Sequence, residues 1–297
     1  AYRFTQALDS AQVPVLLIGG WQDLFIEQTL QQYRALRDRD VDVALTIGPW
    51  THTHMATSAA APVLRESLQW LGTHVSAAPV APRASRVRAR VTGGGDWLDM
   101  PDWPPATTET IRYLGVAGRL EETVPSGETS SFTFYPHDPT PTIGGRLLSP
   151  GAGRRRDDTL AQRHDVLTFT ADALPSELVV HGTPLIELAH RSDTPYVDLW
   201  VRISEVDARG RSRNVSDGYR RLRPDRNTDV VRLEMDPIAH RFAAGTRIRL
   251  LIAGGSFPRY TRNLGTGESV LEGARTVPAT HVISHAGSRL LLPTGRP

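Results

Sequence analysis

The sequence predicts a parallel α/β unit followed by an all-β sandwich of jelly-roll type. Three observations carry this. Residues 13–76 alternate short, continuous apolar runs with stretches of helical periodicity. Residues 77–85, AAPVAPRAS, have no periodicity and read as a linker. Beyond them the period becomes two, in short segments punctuated by turn residues. The expected division is 1–78 and 79–297.

In the first region, VPVLLIGG (13–20) ends in two glycines and reads as a strand buried on both faces. Ile26, Leu30, Tyr33 and Arg37, with Leu36 beside them, form a largely apolar stripe along one helix. DVALTIGPW (42–50) is a second strand of the buried kind. PVLRESLQWLGTHV (62–75) follows, with Leu64, Leu68, Leu71 and Val75 in helical register and Pro62 in the first turn. Strand, helix, strand, helix implies a right-handed crossover unit of a parallel sheet. In the second region, Val197, Leu199, Val201 and Ile203 alternate with Asp198, Trp200, Arg202 and Ser204. Ile248, Leu250 and Ile252 alternate with Arg247 and Arg249. Similar segments at 86–91, 110–116, 131–135, 166–170, 178–181, 185–189, 230–235, 280–284 and 289–292 make up the sandwich.

The 297 residues, 39% of them hydrophobic, suffice for one large domain or two ordinary ones. No apolar run approaches the ~18 residues of a membrane span. The first residues, AYRFTQALDSAQ, lack the zones of a signal peptide, so the expected location is cytoplasmic. Cysteine is absent, which excludes disulfides and thiolate metal sites. The net charge is +2, from 34 basic and 32 acidic residues, and every basic residue is Arg. So small a net charge gives little drive toward nucleic acid. The clusters RVRAR (86–90), RRRDD (154–158) and RRLRPDR (220–226) read as solvated surface or local ion pairs. Neither a nucleic-acid nor a membrane partner is expected.

The chemistry collects at two strand ends. Asp23 follows the first strand in GGWQD, and His52 follows the second in GPWTH. Functional groups of parallel sheets gather outside the carboxyl ends of strands. An acid after one strand and a His after the next, with one helix between, is the tail of the order Ser, Asp or Glu, His. There the acid orients the imidazole, and the imidazole takes the serine proton. Taken singly, Asp23 reads as a helix N-cap and His52 as a loop residue satisfied by backbone. Their order and placement together favour an acid–base pair. His54 makes a His-x-His that could hold zinc, given further ligands, of which few lie nearby.

A nucleophile elbow needs small residues on both sides of a serine at a strained strand-to-helix turn. Upstream of Asp23 stands only Ser10, in LDSAQ, without flanking glycines. Ser256, in GGSFP, has Pro258 where the second Gly belongs. No elbow is found.

The segments VPVLLIGGWQDLF, LTIGPWTH, WPP, TPTIGGRLL, DVLTFTADAL, VDLWVRISEVDARGRSRNVSDGYRR, HRFAAGTRIRLLIAGGSFPRYTRNLGTGE and SRLLLP together resemble the CocE/NonD hydrolases, serine hydrolases that include cocaine esterase and X-prolyl dipeptidyl aminopeptidases. The resemblance spans nearly the whole chain in unbroken order. It implies the C-terminal part of an α/β-hydrolase sheet, with Asp23 as triad acid and His52 as triad base, followed by a jelly-roll, galactose-binding-like domain. It also implies that Phe25 and Leu148 line the substrate site and that Trp21 and Trp50 flank the two catalytic loops. Substrates would be small esters or amides, including X-prolyl dipeptide bonds, with no cofactor and no metal. Relatives carry most of the sheet, a cap, the elbow and an oxyanion donor ahead of the acid, and the chain has none of these. It therefore reads as a truncation, a cleavage product or one piece of a split protein, inactive alone. Its partner would be the missing N-terminal half or another chain completing the sheet, and a homo-oligomer is a further option. Two other readings stand beside this one. The sandwich could be a carbohydrate- or ligand-binding module, marked by exposed Trp97, Trp103 and Trp200, or the His-x-His could serve a metallohydrolase.

Overall fold

The computed structural model describes residues 5–77, 80–224 and 229–295. They form two compact units. The first comprises 5–106 and the returning segment Arg146–Gly153; the second comprises Thr107–Gly145 and 154–295.

The first unit runs α1 (Thr5–Ser10), β1 (Val15–Gln22), α2 (Ile26–Arg37), β2 (Val43–Thr51), α3 (His52–Met55), α4 (Ala60–His74), β3 (Val87–Arg90) and β4 (Trp97–Met100). Its sheet has the order β1-β2-β3-β4, parallel through β3 and antiparallel at β4. Helix α2 buries Ile26, Leu30, Tyr33 and Leu36, as its spacing predicts. Arg37 leaves that stripe to donate to both oxygens of Asp102, at 3.0 and 2.9 Å, where Tyr33 Oη also donates, at 2.7 Å.

One expectation is corrected here. Segment 86–91, read as a sandwich strand, contributes β3 to the parallel sheet, where Leu45, Thr46 and Ile47 of β2 pair with Val87, Arg88 and Ala89. Part of the tryptophan-rich stretch 93–105 is strand β4. It forms a hairpin with β3, and the guanidinium carbons of Arg88 and Arg90 lie 5.1 and 5.9 Å from the Trp97 ring. Helix α4 meets the sheet through its polar side. Its leucine stripe is its outer face: Leu64, Leu68, Leu71 and Val75 are 52–74% exposed. The inward residue is Glu66, the one buried residue of this helix. Its carboxylate accepts from Arg83 (2.7 Å), Thr46 (3.0 Å) and Arg88 (2.8 Å), so a paired charge rather than an apolar face attaches this helix.

The second unit is a sandwich. One sheet has the order β13 (Val230–Glu234), β10 (Leu185–Ser192), β16 (Ala279–Thr294), β5 (Thr108–Leu114) and β6 (Leu120–Glu121). β7 (Thr129–Phe134) and β9 (Leu178–Gly182) also pair with β16, and β14 (Ile238–Phe242) pairs with β9. The other sheet is β12 (Ser212–Leu222), β11 (Val197–Val206), β15 (Arg247–Ala253) and β8 (Val166–Thr170). Alternate residues of both sheets meet in one core, with Leu199, Val201, Ile203, Ile248, Leu250 and Ile252 facing Ile186, Leu188, Leu290 and Leu292.

The opposite face of β11 is buried too. Trp200 joins a smaller cluster with Leu160, Val166, Leu251 and Ala253. Arg202 is enclosed, donating through Nε and Nη2 to Asp217 at 2.6 and 2.9 Å and through Nη1 to Ile143 O at 2.7 Å. Arg259 adds a second cation, 2.7 Å from Asp217 and 3.3 Å from Asp236. Strands β12 and β14 escape the periodicity, and two predicted segments, 280–284 and 289–292, are one strand, β16. Of the Arg clusters, Arg156 pairs locally with Asp158, Arg154 with Glu205 and Arg221 with Asp198. Residues 225–226 of the third cluster lie outside the described residues.

Candidate catalytic site

β1 and β2 run in parallel register from Val15↔Val43 to Gly20↔Gly48, then resume at Gln22↔Thr51. The extra residue lies on β2, between Gly48 and Thr51. Pro49 falls in that bulge, where its missing N–H costs no ladder bond. The bulge brings Trp50 against both glycines. A Cβ on Gly20 would stand 2.2 Å from the Trp50 carbonyl oxygen, and one on Gly48 would stand 2.3 Å from its indole. The two glycine-containing strand ends are thus shaped around one indole. Asp23 and His52 each follow the last register pair by one residue, so both leave the sheet at the same end and side by side.

Asp23 is buried. Its Oδ1 accepts the Phe25 N–H at 2.9 Å, a local turn that orients the carboxylate. Phe25 is the N-cap residue of α2, which has no side-chain cap, so Asp23 does not cap that helix. Its two oxygens lie 3.2 and 3.4 Å from His52 Nδ1. With Nδ1–H donated to the carboxylate, Nε2 holds the free lone pair. The imidazole is 43% exposed, and the Phe25 ring meets it edge-on, at 5.2 Å between centroids and 80° between planes.

His54 takes another task. Its Nδ1 accepts the Thr51 N–H at 3.3 Å and closes the first turn of α3. Among the described residues, no three of His, Asp and Glu are grouped to hold a metal ion.

The aromatic residues divide as well. Trp21 is buried; its Nε1–H donates to Arg90 O at 2.7 Å, and its ring lies 5.0 Å from Trp103. Trp50 is buried and 6.0 Å from Trp97. Both brace the loops from behind. Phe25 and Leu148 are open, 52% and 67% exposed. Trp103 and Trp200 are buried, so neither offers the exposed indole a carbohydrate face needs. Two residues the sequence did not single out belong to this region. Arg146 Nη2 donates to Glu27 Oε1 at 2.6 Å, across a sequence separation of 119 residues. No local pattern signals so distant a pair.

Two family profiles match the chain. The X-Pro dipeptidyl-peptidase C-terminal non-catalytic domain covers residues 80–290, and the X-Pro dipeptidyl-peptidase (S15 family) covers residues 2–54. The chain belongs to the CocE/NonD family of hydrolases. Within the family, cocaine esterase from Rhodococcus sp. (strain MB1 Bresler) is 27% identical over 300 residues, covering 88% of this chain and 52% of its own length. Among solved structures, an alpha-amino acid ester hydrolase superposes with TM-score 0.86 at 18% identity, covering 98% of this chain and 57% of that one. An aminopeptidase from a marine sediment archaeon, Thaumarchaeota archaeon, gives TM-score 0.84 at 22% identity, covering 96% of this chain and 55% of that one. The chain therefore spans about half the length of the relatives it matches. The two superpositions establish the fold: a small, mostly parallel sheet with helices, followed by antiparallel sheets. No described helix is long and apolar enough to cross a membrane.

Proposed function

We propose that this chain is the C-terminal part of a serine hydrolase for ester or amide bonds, carrying the acid and the base of the triad but not its nucleophile. Asp23 holds His52 in the Nδ1–H tautomer and stabilises the imidazolium. His52 Nε2 takes the proton of an attacking serine hydroxyl and returns it to the leaving group. The observation that carries this reading is the 3.2 Å contact between Asp23 and His52 at the ends of adjacent parallel strands. In this reading Phe25 and Leu148 bound the substrate's apolar part. Trp21 and Trp50 act behind the loops, and no cofactor or metal takes part. In this reading residues 1–78 are the catalytic portion and the family's C-terminal domain follows from residue 79, its first two strands, β3 and β4, completing the sheet of the first unit.

The serine comes from a second polypeptide segment. Ser256 is buried with its hydroxyl 2.9 Å from that of Thr142, and it has no elbow around it. The outer edge of β1 has no partner strand among the described residues, and the leucine face of α4 is uncovered. Both features suit a sheet continued by further protein. Loss of a nucleophile from such a triad costs several orders of magnitude in rate. The chain alone is expected to hydrolyse p-nitrophenyl acetate no faster than buffer. Turnover that disappears in His52→Ala would place a working nucleophile on the chain and defeat the missing-serine part of the reading.

A further inference from the structure

The loop that carries His52 is closed by another imidazole. Thr51 ends β2 and is the N-cap of α3, with extended backbone (φ −90°, ψ 172°). It is buried, so its N–H needs an acceptor. That acceptor is Nδ1 of His54, at 3.3 Å. Three residues after a Thr N-cap, Glu or Gln ordinarily supplies this contact, as one half of a capping box. The bond closes a small ring that contains the backbone of His52, whose imidazole reaches from it to Asp23. The far side of the ring is held as well. The His54 carbonyl accepts the N–H groups of Thr57, at 3.0 Å, and of buried Ala59, at 2.8 Å. The Thr51 and Thr53 hydroxyls lie 3.2 Å apart, and the Thr57 hydroxyl donates to Thr53 O at 2.9 Å.

We propose that His54 is a positioning residue of the acid–base site: as a neutral imidazole accepting the Thr51 N–H, it fixes the backbone from which His52 reaches Asp23. This rests on the reading of Asp23 and His52 as the acid–base pair. Two histidines two positions apart then hold opposite tautomers. His52 carries its proton on Nδ1, donated to Asp23; His54 carries its proton on Nε2, which leaves Nδ1 as the acceptor. The division also gives a reason for an imidazole where a carboxylate is usual. A carboxylate at this position would set a second negative charge near His52, in competition with Asp23 for the imidazolium. A neutral imidazole closes the same turn without that charge.

Nitrogen NMR of the imidazoles in the full chain, at about pH 8.5 where an ordinary imidazole is neutral, tests this. Wild type should show His52 protonated at Nδ1 and His54 at Nε2. In His54→Ala the Nδ1–H form of His52 should fall to a minority. Exchange of the Thr51 amide should rise roughly three- to tenfold there, the loss of one ordinary hydrogen bond. His54→Gln, whose side-chain carbonyl accepts the same N–H, should restore both. The His54 side chain is exposed, so both variants should fold, and a denaturant titration checks that they do. An unchanged His52 tautomer in His54→Ala, or the same disturbance in His54→Gln, overturns the positioning role. Asp23→Asn separates this proposal from the reading beneath it. That variant should abolish the Nδ1–H preference of His52 and leave the Thr51 amide protected. If wild-type His52 lacks the Nδ1–H form, or keeps it in Asp23→Asn, the acid–base reading fails and takes this proposal with it. If Asp23→Asn behaves as expected and His54→Ala does not, only the positioning role fails.

Discussion

The two units place charge and apolar surface in opposite ways. In the second unit the leucines, isoleucines and valines of both sheets face one core, and the charges that go inside are matched: Arg202 and Arg259 against Asp217, Asp236 and Asp157. In the first unit, helix α4 turns Glu66 inward onto Arg83, Arg88 and Thr46 and shows its leucines to solvent. The first unit presents an apolar helix face and, among the described residues, an outer edge of β1 without a partner strand. The proposed acid–base pair, Asp23 and His52, lies in that first unit.

This contrast can be broken by experiment, and the largest effect belongs to the closed unit. Removing Arg202 leaves Asp217 and Asp157 buried without their main cation, so Arg202→Ala should cost ~3–5 kcal/mol in a denaturant titration. Leu250→Ala, in the core, should cost ~2–5 kcal/mol. A loss under ~1 kcal/mol in both would mean that the sandwich is looser than its burial implies.

Acid should act on the same unit. His190 Nε2 lies 3.0 Å from His281 Nδ1, and burial lowers the two imidazoles from 6.5 to about 4 and about 3, the nearby His190 adding to the shift of His281. Because the folded-state values lie below the unfolded ones, the unfolded chain binds protons first as the pH falls. Stability is therefore full above about pH 6.5 and falls between about 6.5 and 4, by ~3 kcal/mol from His190 alone. Denaturant midpoints at pH 7.5 and 5.0 measure this, and His190→Gln with His281→Gln should flatten the difference. An equal pH dependence in that double variant would assign the acid loss elsewhere.

The smallest effect sharpens the comparison most. Leu68→Glu, on the exposed face of α4, should change stability by no more than ~0.5 kcal/mol and reduce self-association in sedimentation. A penalty like that of Leu250→Ala would show the face to be covered in the isolated chain.

The strand ends that carry Asp23 and His52 were legible because local residues decide them. Two continuous apolar runs, each ending in glycine and tryptophan and then Asp or His, place their side chains by strand direction alone. The helix α2 was equally legible, since its stripe and its buried face coincide. The orientation of α4 was not. Its leucine spacing describes an amphipathic helix without saying which side meets the sheet, and Arg83 in the linker and Arg88 in β3 decide that. Strand β12 was missed because its buried positions include Ser212, Asn214, Ser216 and Asp217, whose burial depends on partners elsewhere. Segment 86–91 alternates like a sandwich strand, yet its free neighbour was β2, and pairing is chosen by edges rather than by period.

By itself the sequence determined the two strand-end motifs, the sandwich core and the family, because periodicity and local backbone chemistry act over a few residues. Only the tertiary structure decided the bulge that aligns Asp23 with His52, the inward turn of Glu66 and the pairing of Arg146 with Glu27. Each of these joins residues far apart in the chain, and such contacts have no period to read; they exist once the backbone has brought their partners within a few ångströms.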